Sequence, residues 1–353
     1  MEKILFIITR MVKGGAQEVV KALAEADDWE GVLVTGEPLD LKPNVRTIVV
    51  PELIRELNLF LDIVAFIKLY LIIKREKPAV VHTHTSKAGF LGRIAARIAG
   101  AKRVIHTPHG SVFSDVHFSK LKQAIFWLAE KLTAQLADAI VTVSDAEKEE
   151  YIRLKIAPED KYTTIYNGID MDRFRDAEPK EIGASGITIG SISRMVKGKG
   201  HITLVRAAEG IDAMFVLVGD GPERQKIEEE IDRLGLKDRF ILLGERSDVP
   251  EILNSLDIFC HLSEAEGLPV AIIEAMCAGL AIAATDVGGT KEILGDCGIL
   301  IPPNDVEGLR CAILKLINDE GLRTELSKKA RDRAKLFSKE RMVSQYRMVY
   351  NEG

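Results

Sequence analysis

In the stretch SEAEGLPVAIIEAMCAG, residues 263–279, the carboxylates Glu266 and Glu274 stand eight residues apart around a Gly-Leu-Pro turn and an apolar run. Pro269 suits the first turn of a helix, which leaves Glu266 in the loop and Glu274 projecting from the helix that follows. Around Leu268, Pro269 and Val270, free amides near the start of that helix, proline's excepted, would point where Glu266 points. A second cluster, SISRMVKGKG, follows a strand-like run and supplies Arg194, Lys197 and Lys199 around Gly198 and Gly200. Basic side chains beside flexible backbone, with a helix opening at His201, suit a di-anion such as pyrophosphate.

Two glycine pairs add to this chemistry. Gly14 and Gly15, between the first strand and a helix, expose bare amides at a helix N-terminus, which favours an anion. A tight strand-to-helix turn requires glycine for steric reasons alone, and both readings stand. In LVGDGPER, Gly219 and Gly221 also follow a strand, but Arg224 occupies the third glycine position of a dinucleotide fingerprint and Pro222 reads as a first helical residue. A loop packing on a nucleoside base fits better. SRMVKGKG is not a P-loop, because Gly198-Lys199 is followed by glycine rather than Ser or Thr. The acids also have an ordinary reading, Glu274 as a solvated helix acid and Glu266 as a helix-start acid. Amides for phosphate, one carboxylate for sugar hydroxyls and another for a ribose diol are together what a nucleotide sugar requires.

The elements that hold these loops follow from apolar patterning. In the first half, ILFIIT (4–9), VLVT (32–35), RTIVV (46–50), VVHTH (80–84), RVIHTPH (103–109) and AIVTVS (139–144) alternate with amphipathic helical stretches. The second half restarts with ITIGSIS (187–193), MFVLVG (214–219), FILLG (240–244), IFCHLS (258–263), AIAATD (281–286) and GILIP (298–302). Continuous apolar strands separated by helices mean parallel sheets covered on both faces. The reading is α/β, with two doubly wound Rossmann-like domains, 1–168 and 187–338, joined by a polar linker at 169–186. At 353 residues, two cores are expected.

With 48 basic and 53 acidic residues the formal net charge is −5, which advertises no nucleic-acid partner. Cys260, Cys277, Cys297 and Cys311 lack C-x-x-C spacing and read as small buried thiols. MEKILFIITRM reads as a buried strand rather than a secretory segment, so the chain is expected in the cytoplasm. The tract Leu57–Ile73 is interrupted by Asp62 and Lys68 and falls short of a membrane span. It reads first as a core helix. The alternative, together with SKLKQAIFWLAEKL (119–132), is a lysine-flanked peripheral contact with the inner face of the cell membrane. The Asp-x-Asp triplet Asp170–Asp172 lies in the polar linker, where its acids suit turns, and no metal site is expected.

GGAQEVV, HTPHG, IYNGID, SRMVKGKG, VGDGP, and EGLPVAIIEAMCAG followed by TDVGG, in that order, resemble the retaining glycosyltransferases of family 4 over nearly the whole chain. The resemblance implies the GT-B fold, with its two domains facing across a cleft and the C-terminal helix, 339–353, packed back on the first domain. It implies that Glu274 binds the nucleotide ribose and Glu266 the donor-sugar hydroxyls. Arg194 and Lys199 would hold the pyrophosphate, Gly15 would approach the donor phosphate or sugar, and His109 would face the donor sugar. The implied reaction transfers a sugar from a nucleoside diphosphate, UDP favoured, to a glycan, lipid-linked or small-molecule acceptor, with no other cofactor. The implied mechanism is front-face attack, with the departing phosphate oxygen helping to accept the acceptor's proton. The departures are small: Gln17-Glu18 where Glu-Arg is common, and Ala281 where Pro is common. A sugar-nucleotide epimerase and a non-catalytic nucleotide-sugar-binding protein are the rival readings.

Overall fold

Strands of Ile, Val and Leu without polar alternation must be buried on both faces, and helices on each side of a parallel sheet do this. The computed structural model describes residues 1–110, 113 and 119–352, and the chain divides into two such units. Unit 1 comprises Met1–Gly168 with the segment from Lys339, and unit 2 comprises Ile169–Ser338.

In unit 1 the chain runs β1 (Lys3–Ile8), α1 (Gly15–Ala24), β2 (Glu30–Thr35), β3 (Arg46–Val49), α2 (Leu59–Glu76), β4 (Val80–His84) and α3 (Ser86–Ala99). It continues through β5 (Arg103–Thr107), α4 (Lys120–Ala134), β6 (Ala139–Thr142), α5 (Asp145–Arg153) and β7 (Tyr162–Thr164). The sheet order is β3-β2-β1-β4-β5-β6-β7, all parallel. The order reverses between β1 and β4, where Ile4 pairs with Val80.

Unit 2 opens with α6 (Met171–Arg175), β8 (Thr188–Ile192), α7 (His201–Ala207), β9 (Met214–Val218), α8 (Arg224–Arg233), β10 (Phe240–Gly244) and α9 (Val249–Leu253). There follow β11 (Ile258–His261), α10 (Val270–Ala278), β12 (Ala281–Thr285), α11 (Thr290–Leu294), β13 (Gly298–Ile301), α12 (Val306–Asn318) and α13 (Glu320–Ala334). Its parallel sheet has the order β10-β9-β8-β11-β12-β13 and reverses between β8 and β11. In both sheets the reversal opens a crevice beyond the strands' carboxyl ends, the usual ligand position in this architecture.

The last helix, α14 (Lys339–Asn351), belongs to unit 1. Met342, Val343, Tyr346, Val349 and Tyr350 enter the core formed with Phe6, Trp29 and Ile105. The phenolic oxygens find partners there, Tyr350 with His82 Nδ1 at 2.8 Å and Tyr346 with Thr107 Oγ1 at 3.2 Å. Gly353 lies outside the described residues.

Three features differ from the sequence expectations. β7 was not foreseen, since three residues carry too little pattern. Residues 169–186 group with unit 2 rather than standing apart as a linker, because Phe174 of α6 is buried and Asn254 Nδ2 donates to its carbonyl at 2.7 Å. Cys311 is exposed on α12, whereas the other three cysteines are buried.

Candidate active site

Two loops at the reversal point of unit 2 carry the charged residues. The first, after β8, runs from Ser193 to Gly200, and the second, after β11, from Leu262 to Pro269. The Glu264 amide donates to the Gly198 carbonyl at 2.8 Å and fastens one loop to the other. Lys199 Nζ donates to Glu266 Oε1 at 2.5 Å, and His261 Nε2 donates to the same oxygen at 3.1 Å. Burial works against a charge on Glu266, yet the His261 hydrogen bond and the Lys199 ammonium outweigh it and hold the carboxyl well below the usual carboxylate range. Glu266 is therefore an anion throughout the physiological range, already seated where Lys199 points.

Arg194 and Lys197 are exposed on the same loop. Beneath it, His201 Nε2 lies 3.1 Å from Ser193 Oγ, and burial with nearby Lys199 and His261 lowers this imidazole to about 4. It stays neutral and adds no charge. Glu274 is half-buried, opening the second turn of α10. Pro269 is the N-cap of that helix and Val270 begins it, with Leu268 buried before the cap.

Gly219 and Gly221 meet a requirement of the fold that the sequence did not show. A β-carbon on Gly219 would lie 2.0 Å from the Ser193 carbonyl oxygen, and one on Gly221 would lie 2.5 Å from that of Met195. Both residues have positive φ, 131° and 153°. These glycines let the loop after β9 lie directly on the Arg194 loop, fixed by the Met195 amide donating to Asp220 O at 2.8 Å. Close approach of one loop to the other requires glycine at both positions.

In unit 1, Gly14 caps α1 in an extended conformation and Gly15 is its first residue. Near the carboxyl ends of β4 and β5, Thr85 and His109 each have a φ of 64°, an unusual backbone for residues with a β-carbon. His84 Nδ1 and His109 Nε2 are 2.9 Å apart. Burial lowers His109 to about 3 and holds His84 well below the ordinary imidazole range, so both rings are neutral at pH 7. His84 and His261 were missed in the sequence. Each is the last residue of an apolar strand, which was the available signal.

Among the described residues, no group of three or more His, Cys, Asp or Glu side chains could hold a metal ion. Asp170 caps α6 by accepting from the Arg173 amide at 3.4 Å, and Asp172 pairs with Arg175 at 2.9 Å.

The family model described as Glycosyltransferase Family 4 matches residues 14–173, and that described as Glycosyl transferases group 1 matches residues 172–333. The UDP-Gal:alpha-D-GlcNAc-diphosphoundecaprenol alpha-1,3-galactosyltransferase of Escherichia coli is 32% identical over 311 residues, covering 83% of this chain and 80% of that protein. The N-acetyl-alpha-D-glucosaminyl L-malate synthase of Bacillus anthracis is 28% identical, covering 94% and 91% respectively. Among solved structures, HepE of Anabaena in complex with UDP and glucose superposes with a TM-score of 0.87 at 22% identity, covering 100% of both chains. Two parallel-sheet units of this topology, with family matches running through both of them, make the chain a glycosyltransferase of family 4 with the GT-B fold.

Proposed function

We propose that the enzyme transfers a sugar from a UDP-sugar to a lipid-linked or glycan acceptor with retention of anomeric configuration and without a metal ion. The carrying observation is the cluster at the β8–β11 reversal, where Lys199, Arg194 and the ionised, His261-bonded Glu266 share two fastened loops. Breaking the glycosidic C–O bond leaves negative charge on the diphosphate while the sugar becomes oxocarbenium-like. Fixed cations aimed at the leaving group lower that barrier. Arg194 and Lys199 are assigned to the diphosphate, Glu266 to donor-sugar hydroxyls, Glu274 to the ribose and His109 to the donor sugar. The UDP-specific and lipid-diphosphate names of the relatives support the substrate class. Calorimetry with UDP-, GDP- and ADP-sugars followed by a product search tests the reading, and binding of none of them would end it. Within it, Glu274→Ala weakens UDP itself while Glu266→Ala weakens chiefly the intact donor, each by roughly 1.5–3 kcal/mol as for hydrogen bonds to charged groups. Equal losses for bare UDP would contradict the division.

Metal independence rests on what Asp170 and Asp172 already do in capping and pairing within α6. The cations on the Arg194 loop supply the positive potential that a divalent ion would provide. Activity is expected to survive EDTA, and the Asp170→Asn/Asp172→Asn double variant should keep wild-type donor affinity. Silencing by chelation, with rescue by Mg²⁺ lost in the double variant, would reverse this.

A membrane-facing acceptor is supported by α2 and α4. The buried side of α2 carries Ala65, Leu69 and Ile73, while Leu59, Phe60, Ile63, Ile67 and Leu71 are exposed. On α4, Leu121, Ile125, Leu128 and Leu132 form a second exposed stripe. Between the two helices, over α3, lies a cavity of about 450 Å³ lined by apolar side chains including Phe66, Phe90 and Phe126. Contiguous exposed apolar surface of this kind marks an interaction face. Lys74 and Arg75 on α2 and Lys120 and Lys122 on α4 are exposed and suit anionic lipid. Among the described residues no helix is long and apolar enough to cross a membrane. The enzyme should co-sediment with anionic vesicles, and Ile67→Glu/Leu128→Glu should abolish that; absence of wild-type binding at low salt would remove the membrane from the account.

A further inference from the structure

The His109–Gly110 turn is held by two groups that neither motif nor resemblance assigns. The first is Glu147, the third residue of α5 and only 4% exposed. Ser144 caps that helix by accepting from the Glu147 amide at 3.1 Å, and Glu147 Oε2 reaches back to the Val143 amide at 2.8 Å. A capping acid of this sort ordinarily leaves its other oxygen to water. Here Oε1 is turned inward and accepts the Gly110 amide at 2.7 Å, one residue past His109. The second group is His84, whose Nδ1 meets His109 Nε2. The outer nitrogens, His84 Nε2 and His109 Nδ1, are shielded and make no hydrogen bond among the described residues.

These contacts leave His109 little freedom. One proton lies in the His84–His109 bond, because both rings are neutral. If His84 donates it, His109 carries its own proton on Nδ1 and presents a donor. If His109 donates it, Nδ1 is bare and presents an acceptor. We infer that Glu147 and His84 are positioning residues for His109, Glu147 holding the strained turn by its backbone and His84 holding the imidazole and setting the polarity of its outer nitrogen. This rests on the reading of His109 as a donor-facing residue.

The backbone clamp is pH-sensitive. Burial pushes Glu147 up to about 7, against the Val143 and Gly110 amides that favour its charge. Glu150 on its own helix and Glu130 on α4 raise it further, and the phenols of Tyr151 and, from α14, Tyr346 face it. Below pH 7 the carboxyl takes up a proton, one oxygen becomes a hydroxyl, and both backbone amides lose a charged acceptor.

The test is a set of mutant cycles with two readouts. Glu147→Ala and His84→Ala should each lower kcat on the order of tenfold to a hundredfold, as small misplacements of a reacting-site group do, with little change in donor KM. In a His109→Ala background neither should cost anything further. His84→Asn, which keeps a polar group at the Nδ1 position, should recover most of the loss. Wild-type kcat should fall below pH 7, and Glu147→Gln should flatten that limb. The second readout needs no turnover: ¹⁵N-imidazole NMR should show the His109 tautomer signals altered in His84→Ala and, below pH 7, in the wild type but not in Glu147→Gln. His109 signals unchanged in His84→Ala, and unchanged below pH 7 in the wild type, overturn the inference. Full activity of His109→Ala with altered signals would instead overturn the donor-facing reading and leave the clamp standing. Losses that add to those of His109→Ala would reduce both residues to a structural role.

Discussion

Lys199→Ala is expected to lower kcat/KM about a hundredfold or more, on the order of 3 kcal/mol of transition-state stabilisation. Arg194→Ala should match it, whereas Lys197→Ala should stay near wild type. The loss at Lys199 has two parts. The leaving diphosphate loses a cation, and Glu266 loses one of the two groups that keep it ionised against burial. With His261 alone opposing burial, the Glu266 carboxyl rises, so a further acid limb, one that Glu147→Gln does not flatten, should enter the Lys199→Ala profile from below. Because Glu266 sits on Lys199 in the free enzyme, a diphosphate must compete for the ammonium, and Glu266→Gln should tighten bare UDP while slowing transfer. Near-native turnover of the Arg194→Ala/Lys199→Ala double variant would end the assignment.

The largest stability effect is expected at a buried ion pair. Arg93 on α3 is wholly buried and donates through both terminal nitrogens to Glu130 of α4, at 2.8 and 2.7 Å, and its Nε donates to Gly89 O at 2.9 Å. Glu130→Ala leaves the guanidinium charged and unpaired in the core, which costs about 3–5 kcal/mol. Replacing both partners, Arg93→Met/Glu130→Leu, removes the charges together and should restore most of the stability. Trp29 and Trp127 are the chain's two tryptophans and both lie in unit 1, so fluorescence-monitored urea unfolding reports the right unit. A double variant as unstable as Glu130→Ala would show that packing at this site, not charge pairing, dominates.

The strands were legible because runs such as ILFII and VVHTH have no polar alternation, and a doubly buried strand needs none. β7 was not, since Tyr162–Thr164 is too short to show a pattern. The charged loops were legible as loops because glycine and charged residues together interrupt the apolar pattern at the strand ends. His261 and His84 escaped because a single histidine closing an apolar strand looks like any core histidine. The fold turns His261 onto Glu266 five residues on, and brings His84 to His109 from the end of the neighbouring strand. Gly219 and Gly221 were placed at a loop, but the Arg194 loop they lie against was not foreseen, because close backbone approach is visible in a sequence only as glycine, never as what approaches. The polarity of residues 169–186 suggested a linker, but buried Phe174, the Asn254 hydrogen bond to its carbonyl and the Lys180–Asp248 pair tie that segment to unit 2.

Retaining transfer from a UDP-sugar is tested most directly by the anomeric configuration of the product. The enzyme would be incubated with the best-binding UDP-sugar and a diphosphate-lipid or glycan acceptor in the presence of EDTA, and the new linkage read by its ¹H anomeric coupling in NMR before any later equilibration. The expected result is stoichiometric UDP release and a glycosidic bond of the same anomeric configuration as the donor. An inverted linkage, or a UDP-sugar epimerised with no acceptor present, would contradict it.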